Sequence, residues 1–267
     1  MNDRARDPAA ASAELLREDV NGVTLLTLNR PRQYNALSAA LLEELHGALD
    51  TIAADRSVRV VMITGAGNAF CSGHDLREMR ALGEREKVEA LFFTCSGMMQ
   101  RLVALPQPVI AVVNGIATAA GCQLVAQCDL AVASENARFA ASGINLGLFC
   151  STPAVAISRN LARKRAAEML FTGDFVDAAT AHAWGLVNRV VPHENLLDAA
   201  RELAANLAAK PREALALGKA LFYRQLEANL DTAYADASRT IAANMDADIA
   251  REGVDAFFAK RSPRWTS

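Results

Sequence analysis

Apolar positions along this chain follow two rhythms, alternation or short solid runs in some stretches and one-sided helical spacing in others. Residues 15–28, LLREDVNGVTLLTL, form two extended runs around Asn21-Gly22, a dipeptide that supplies the positive φ angles of a tight hairpin turn. Ser38 then caps a helix over about 39–54, on which Leu41, Leu42, Leu45, Leu49 and Ile52 share one face. VRVVMITG (58–65) reads as a buried strand, about 84–104 as a helix that leads to Pro106, and 108–113 as the next strand. A second crossover runs through a short helix at 121–127 into CDLAVAS. Crossovers this regular predict a largely parallel sheet covered by helices. From about 153 onward the pattern is helical apart from a short strand at 185–191, and the last helices are alanine-rich and amphipathic.

These elements divide the chain into a disordered tail (1–12), an α/β core (13–195) and a helical C-terminal region (196–267) that forms a small domain or an oligomer interface. With 267 residues and 52% hydrophobic content the chain can bury a large core without staples. The net charge of −2, from 28 basic and 30 acidic residues, gives no electrostatic footprint for nucleic acid and no basic cluster for a membrane surface. The longest apolar run, around 108–120, is broken by Asn114 and Gly115 and is too short to span a bilayer. The expected partner is therefore a small molecule or another copy of the chain.

Five cysteines (Cys71, Cys95, Cys122, Cys128, Cys150) form no CxxC pair and lie mostly in apolar context, which fits reduced intracellular thiols better than a disulfide framework. The four histidines show no metal spacing, so no metal is expected. MNDRARDPAAAS lacks the apolar core of a secretory signal, and its acidic residues argue against a transit peptide. A soluble, cytoplasmic protein is the expectation.

Two loops draw attention as chemistry. TGAGNAFCSG follows a strand, but Phe70 stands where a dinucleotide fingerprint has its third glycine, and no Gly-Lys-Ser/Thr is present. A different reading takes this loop together with Ala119-Ala120-Gly121. Gly73 can turn the N–H of His74 outward, and the first N–H groups of the helix after 119 carry the positive end of its dipole. Two N–H groups converging on one oxygen make an oxyanion hole. Equally, small residues in both loops serve close backbone packing.

LNRPRQYNALS, FCSGHDLREM, PVIAVVNGIATAAGCQLVAQCDLAVAS, MLFTGDFVDAATAHAWGLVNRVV and FFAKRSP, in this order over about 20–263, resemble the enoyl-CoA hydratase/isomerase, or crotonase, superfamily. The resemblance implies an α/β fold, a crotonase-like spiral of ββα units with an α-helical C-terminal region. It also implies trimers or hexamers assembled through the C-terminal helices and a coenzyme A thioester as ligand, with no permanently bound cofactor. By position, the oxyanion donors are the N–H groups of His74 and Ala120, the latter where family members usually have glycine. Arg32, Arg77 and Lys260 become candidates for the coenzyme A phosphates, and the backbone around Cys71 and Ser72 for the adenine and pantetheine portion. Asp75 is expected to orient its own loop.

Where hydratases of this family resemble GGGCEL and QPEI, this chain reads AAGCQL and ASGI, so the two glutamate positions fall on Gln123 and Gly143. Adding water across a conjugated thioester needs one group to take a proton and another to deliver one. Gln123 has no titratable proton and Gly143 no side chain. Nearby alternatives are Ser142, Asn145, Cys150 and Ser151, although an unactivated thiol with a pKa near ~8.5 is mostly protonated at neutral pH. The His74 ring is a further candidate base, and no GxSxG elbow supports a serine triad. These departures resemble the enoyl-CoA hydratase domain-containing branch. Three readings follow: an acyl-CoA enzyme with an unassigned base, an unusual hydratase, or a non-catalytic acyl-CoA-binding or regulatory protein.

Overall fold

The computed structural model describes residues 13–265; the expected tail at 1–12 lies outside them. The chain opens with β1 (Leu15–Val20) and β2 (Val23–Leu28), antiparallel, with Val20 opposite Val23. Asn21 and Gly22 between them have φ of 51° and 77°, the primed turn that a right-twisted hairpin needs. α1 (Ala39–Ala54) is capped by Ser38, whose Oγ accepts the Leu41 N–H at 3.0 Å, and its five expected apolar residues are all buried.

From there each crossover contributes one strand to each of two sheets. β3 (Val60–Gly65), β5 (Val109–Val113) and β7 (Leu130–Ser134) enter a large, mainly parallel sheet completed by β10 (Arg189–Val191), in the order β1-β2-β3-β5-β7-β10. The short strands that follow them, β4 (Ala69–Cys71), β6 (Ile116–Thr118) and β8 (Arg138–Ala140), form a smaller sheet completed by β9 (Val176–Asp177). Asn114 ties two of these turns together, its Nδ2 donating to the carbonyls of Gly65 at 2.9 Å and Gly67 at 2.8 Å. Helices close each turn of the spiral: α2 (Leu76–Leu82) and α3 (Arg85–Ala104), then α4 (Ala120–Gln127), then α5 (Ser151–Asn160). α6 (Arg163–Thr172) and α7 (Ala178–Trp184) lead into β10 (Arg189–Val191). The crotonase-like α/β spiral expected from the motifs is the fold observed.

Strand alternation distributes the core. Val61, Ile63, Ala111 and Val113 face α1, α3 and the second sheet, whereas Val60, Met62, Ile110 and Val112 pack against α8 (Leu196–Ala208) through Leu196, Ala200 and Ala204. α8 thus covers one face of the large sheet. Beyond it, α9 (Arg212–Leu226) and α10 (Leu230–Asp246) bury no residue completely, and α11 (Asp248–Phe258) buries only Ala256. Phe222, Leu226, Leu230, Tyr234, Ile241, Phe257 and Phe258 lie exposed on these helices.

The expected strand at 185–191 is shorter than its apolar pattern. Gly185, at φ 90°, caps α7 in the left-handed region, Leu186 and Val187 pack into the core from a turn, and only 189–191 pair with β7.

Candidate functional site

The two small-residue loops meet. Leu37 forms a parallel bridge to His74, its N–H donating to Gly73 O at 2.8 Å and its carbonyl accepting the Asp75 N–H at 3.0 Å. In such a bridge the intervening residue presents its N–H to the opposite edge. The His74 N–H faces away from Leu37 and has no acceptor among the described residues. Gly73, at φ 94°, passes so close to the second loop that a Cβ on it would lie 2.9 Å from Ala119 Cβ and 3.2 Å from Ala120 N. Ala120 is the first residue of α4, so its N–H has no intrahelical acceptor either.

Asp75 holds the first loop. Its carboxylate caps α2 by accepting from Arg77 N (3.0 Å) and Glu78 N (3.4 Å), and it pairs with Arg30 Nη2 at 3.0 Å. Burial pushes this acid up, but the Arg30 hydrogen bond and the two backbone donors outweigh it and hold the carboxyl below the ordinary aspartate value. Arg30 also reaches Glu14 at 3.1 Å and the Ala36 carbonyl at 2.6 Å. The loop-orienting part expected of Asp75 matches this geometry. Nothing in the sequence pairs Arg30 with Asp75, 45 positions away.

The second loop is strained one residue earlier than its glycine-to-alanine change suggests. Ala120 is helical, but Ala119 sits at φ 51°, ψ −119°, a region that side-chain-bearing residues seldom occupy. Gly121 is required for space, since a Cβ there would lie 2.0 Å from the Cys71 carbonyl oxygen. That contact brings the start of α4 down onto β4.

Gln123 lies one turn into α4, 4% exposed, with no hydrogen bond to either amide atom among the described residues. Gly143 lies in a 3-10 turn, Ser142–Leu146, after β8. Its φ is not left-handed; what requires glycine is packing, because a Cβ would stand 2.6 Å from Leu148 O and 2.8 Å from Cys150 Sγ. Cys150 Sγ accepts the Gly143 N–H at 3.3 Å, and burial pushes the thiol above its ordinary value. Ser151 begins α5 and is exposed, its Oγ donating to Phe149 O at 3.3 Å. Ser142 shares a 2.5 Å hydroxyl contact with Thr118, the residue before Ala119. Burial drives the His74 ring down to about 4, leaving it neutral at physiological pH, edge-on to Phe92 of α3.

Ser72 N donates to Tyr34 O at 3.0 Å and Ser72 Oγ to Gln33 O at 3.4 Å, so the turn carrying Arg32 lies against Ser72. Arg77 follows on the first turn of α2, and both arginines are exposed without ion pairs among the described residues. Cys71 turns into the core, its thiol pushed up to about 12 by burial. Lys260 lies past α11, with no hydrogen bond or ion pair joining it to the 71–77 loop. Among the described residues no group of three His, Cys, Asp or Glu is placed to hold a metal, and no helix is long and apolar enough to cross a membrane.

The enoyl-CoA hydratase/isomerase family model matches residues 18–267. The rat protein named enoyl-CoA hydratase domain-containing protein 3, mitochondrial, is 45% identical over 246 residues, 92% of this chain and 82% of its own length. The crystal structure of the human protein of that name superimposes with a TM-score of 0.92 at 42% identity, covering 94% of this chain and 100% of that one. An enoyl-CoA hydratase structure from Mycobacterium smegmatis gives a TM-score of 0.93 at 57% identity, covering 95% and 99%. The chain belongs to the enoyl-CoA hydratase/isomerase family, and its likeness extends to the domain-containing branch.

One expectation is overturned here. The rat, frog, mouse, human and zebrafish relatives are named as mitochondrial, which contradicts a cytoplasmic location. Cysteine usage separates oxidising compartments from the rest and does not distinguish among those that keep thiols reduced.

Proposed function

We propose that this chain binds acyl-CoA thioesters with the thioester oxygen between the N–H groups of His74 and Ala120, and that it lacks the proton-transfer groups of an ordinary hydratase. The observation that supports the reading is the approach of Gly73 to Ala120 with both neighbouring donors unpaired. Such a pair stabilises an enolate by placing donors where charge develops. Arg32 and Arg77 are offered to the coenzyme A phosphates on the side of Ser72. Lys260, with no contact to the 71–77 loop seen among the described residues, is offered to the same ligand from a neighbouring copy, in keeping with a trimer or hexamer built on the exposed faces of α9 to α11. The amide at Gln123 and the packed backbone at Gly143 favour, as a second reading, a protein that holds the thioester without converting it.

Titration calorimetry with acetyl-CoA, crotonyl-CoA and free coenzyme A tests binding, and light scattering gives the mass. Absence of binding by all of them at millimolar ligand contradicts the reading, and a monomer contradicts the assembly.

A further inference from the structure

A trans peptide group carries its C=O and its N–H on opposite sides, so a hydrogen bond received at the oxygen bears directly on the donor at the other end. The His74 N–H shares its peptide with the Gly73 carbonyl, which accepts the Leu37 N–H at 2.8 Å. The Leu37 N–H in turn shares its peptide with the Ala36 carbonyl, which accepts from Arg30 Nη1 at 2.6 Å. No peptide bond among the described residues is cis, so both groups are crossed end to end. A continuous line therefore runs from the Arg30 guanidinium through Ala36–Leu37 and Gly73–His74 to an N–H that has no acceptor among the described residues.

This line is suited to carry the influence of a charge at its far end. Ala36 and Leu37 are 7% and 1% exposed, so little water is present to damp the polarisation. Arg30 is itself anchored: its N–H donates to Oδ1 of buried Asn35 at 2.9 Å, and its guanidinium reaches Glu14 through Nε at 3.1 Å and Asp75 through Nη2 at 3.0 Å. Asp75 follows His74 in the chain. One planar group thus grips the loop on both sides of His74, through Ala36 before it and the Asp75 carboxylate after it, which a single ammonium could not do. Such a grip is needed because Gly73, at φ 94°, gives the peptide before His74 wide freedom to rotate. The other donor has a different backing. Ala120 opens α4, and the carbonyl of its own peptide, Ala119 O, accepts the Gln123 N–H at 3.0 Å. A helix stands behind Ala120, and a guanidinium stands behind His74.

Resting on the acyl-CoA reading, we propose that Arg30 is a positioning residue of the thioester site: acting through two peptide groups, it fixes the direction of the His74 N–H and strengthens it as a donor to the thioester oxygen. Glu14 and Asp75 offset the guanidinium charge from its other edges, whereas Nη1 touches Ala36 O directly and sets the field along the line.

Infrared spectroscopy on the full-length protein follows butyryl-CoA isotopically labelled at the thioester carbonyl, and calorimetry follows free coenzyme A. In the unmodified protein the carbonyl stretch is expected to move to lower frequency on binding, as two donors polarise it. In Arg30→Lys, and in Arg30→Met combined with Asp75→Asn, which removes both charges of that pair together and keeps a cap on α2, the shift should fall by about half while free coenzyme A binds as before. Glu14→Gln removes a partner of Arg30 that lies off the line and should keep the full shift. A full shift in both Arg30 variants overturns the proposal, and so does an equal loss in Glu14→Gln, the mark of general loosening. In either case the thioester reading stands. If butyryl-CoA binds the unmodified protein without a shift, or does not bind, that reading falls and the proposal with it.

Discussion

Cys150 Sγ occupies the space into which a side chain at Gly143 would grow: it accepts the Gly143 N–H at 3.3 Å and lies 2.8 Å from the position of a Cβ there. The second glutamate position of the family is therefore closed sterically as well as lacking its carboxylate. Restoring an acid there requires the loop to move, since Leu148 O is nearer still at 2.6 Å.

Gly143→Ala is accordingly expected to destabilise the protein by about 1–3 kcal/mol through overpacking. Urea unfolding measures this, and the same substitution in a Cys150→Ala background should recover part of the loss, because one of the two obstacles is gone. An unchanged midpoint contradicts the packing argument.

Ala119→Gly should have the opposite sign. At φ 51°, ψ −119°, alanine carries a strain of about 1–3 kcal/mol that glycine avoids, offset in part by glycine's greater unfolded-state entropy. A net gain of about 1 kcal/mol is expected in thermal or urea unfolding, with coenzyme A thioester binding retained because the Ala120 N–H is untouched. Destabilisation shows that the backbone there relaxes around a Cβ.

Two pH dependences follow from burial. His74 has its folded pKa lowered to about 4 from 6.5, so in that window the unfolded chain binds the extra proton and stability falls as pH falls. His74→Phe should flatten this acid limb. Cys71, Cys95 and Cys122 have theirs raised from 9.0 to about 12, so the stability they contribute is present below pH 9 and lost as pH rises toward 12. Urea midpoints measured across pH 4–6.5 and across pH 9–12 check both limbs, and a flat profile in either window contradicts the corresponding assignment.

Lys219 Nζ on α9 donates to Asp129 Oδ2 at 2.6 Å and to the carbonyls of Leu102 at 2.8 Å and Gln107 at 3.0 Å, while the Tyr223 hydroxyl donates to Asp129 Oδ1 at 2.7 Å. This clasp fastens α9 to the edge of the core. Lys219→Met leaves the Asp129 carboxylate without its cation and should cost about 3 kcal/mol, whereas Lys219→Met with Asp129→Asn should cost less. Equal losses in the two variants contradict a role for the charge pair.

Much of this fold is legible in sequence wherever apolar spacing runs long enough to repeat. The face Leu41, Leu42, Leu45, Leu49 and Ile52 and the turn at Asn21-Gly22 are examples. β4, β6 and β8 are three residues each, too short to show alternation, and α2 is a single capped segment whose apolar face is weak. At the site, motif order located His74, Ala120, Gln123 and Gly143, whereas the strain at Ala119 and the sulfur against Gly143 depend on which residues the loops bring into contact. The pairing of Arg30 with Asp75, 45 positions apart, has the same origin.

The most direct test of the account follows the loss of enoyl thioester absorbance when the unmodified protein is mixed with crotonyl-CoA, alongside calorimetry on the same preparation. Gln123 cannot transfer a proton, and Gly143 carries no group that can. General acid–base catalysis contributes about 10²–10⁴ per group, so the account predicts binding with hydration far below an ordinary kcat/KM of about 10⁴–10⁸ M⁻¹s⁻¹. Hydration at ordinary efficiency contradicts it, because another residue would then be supplying the base.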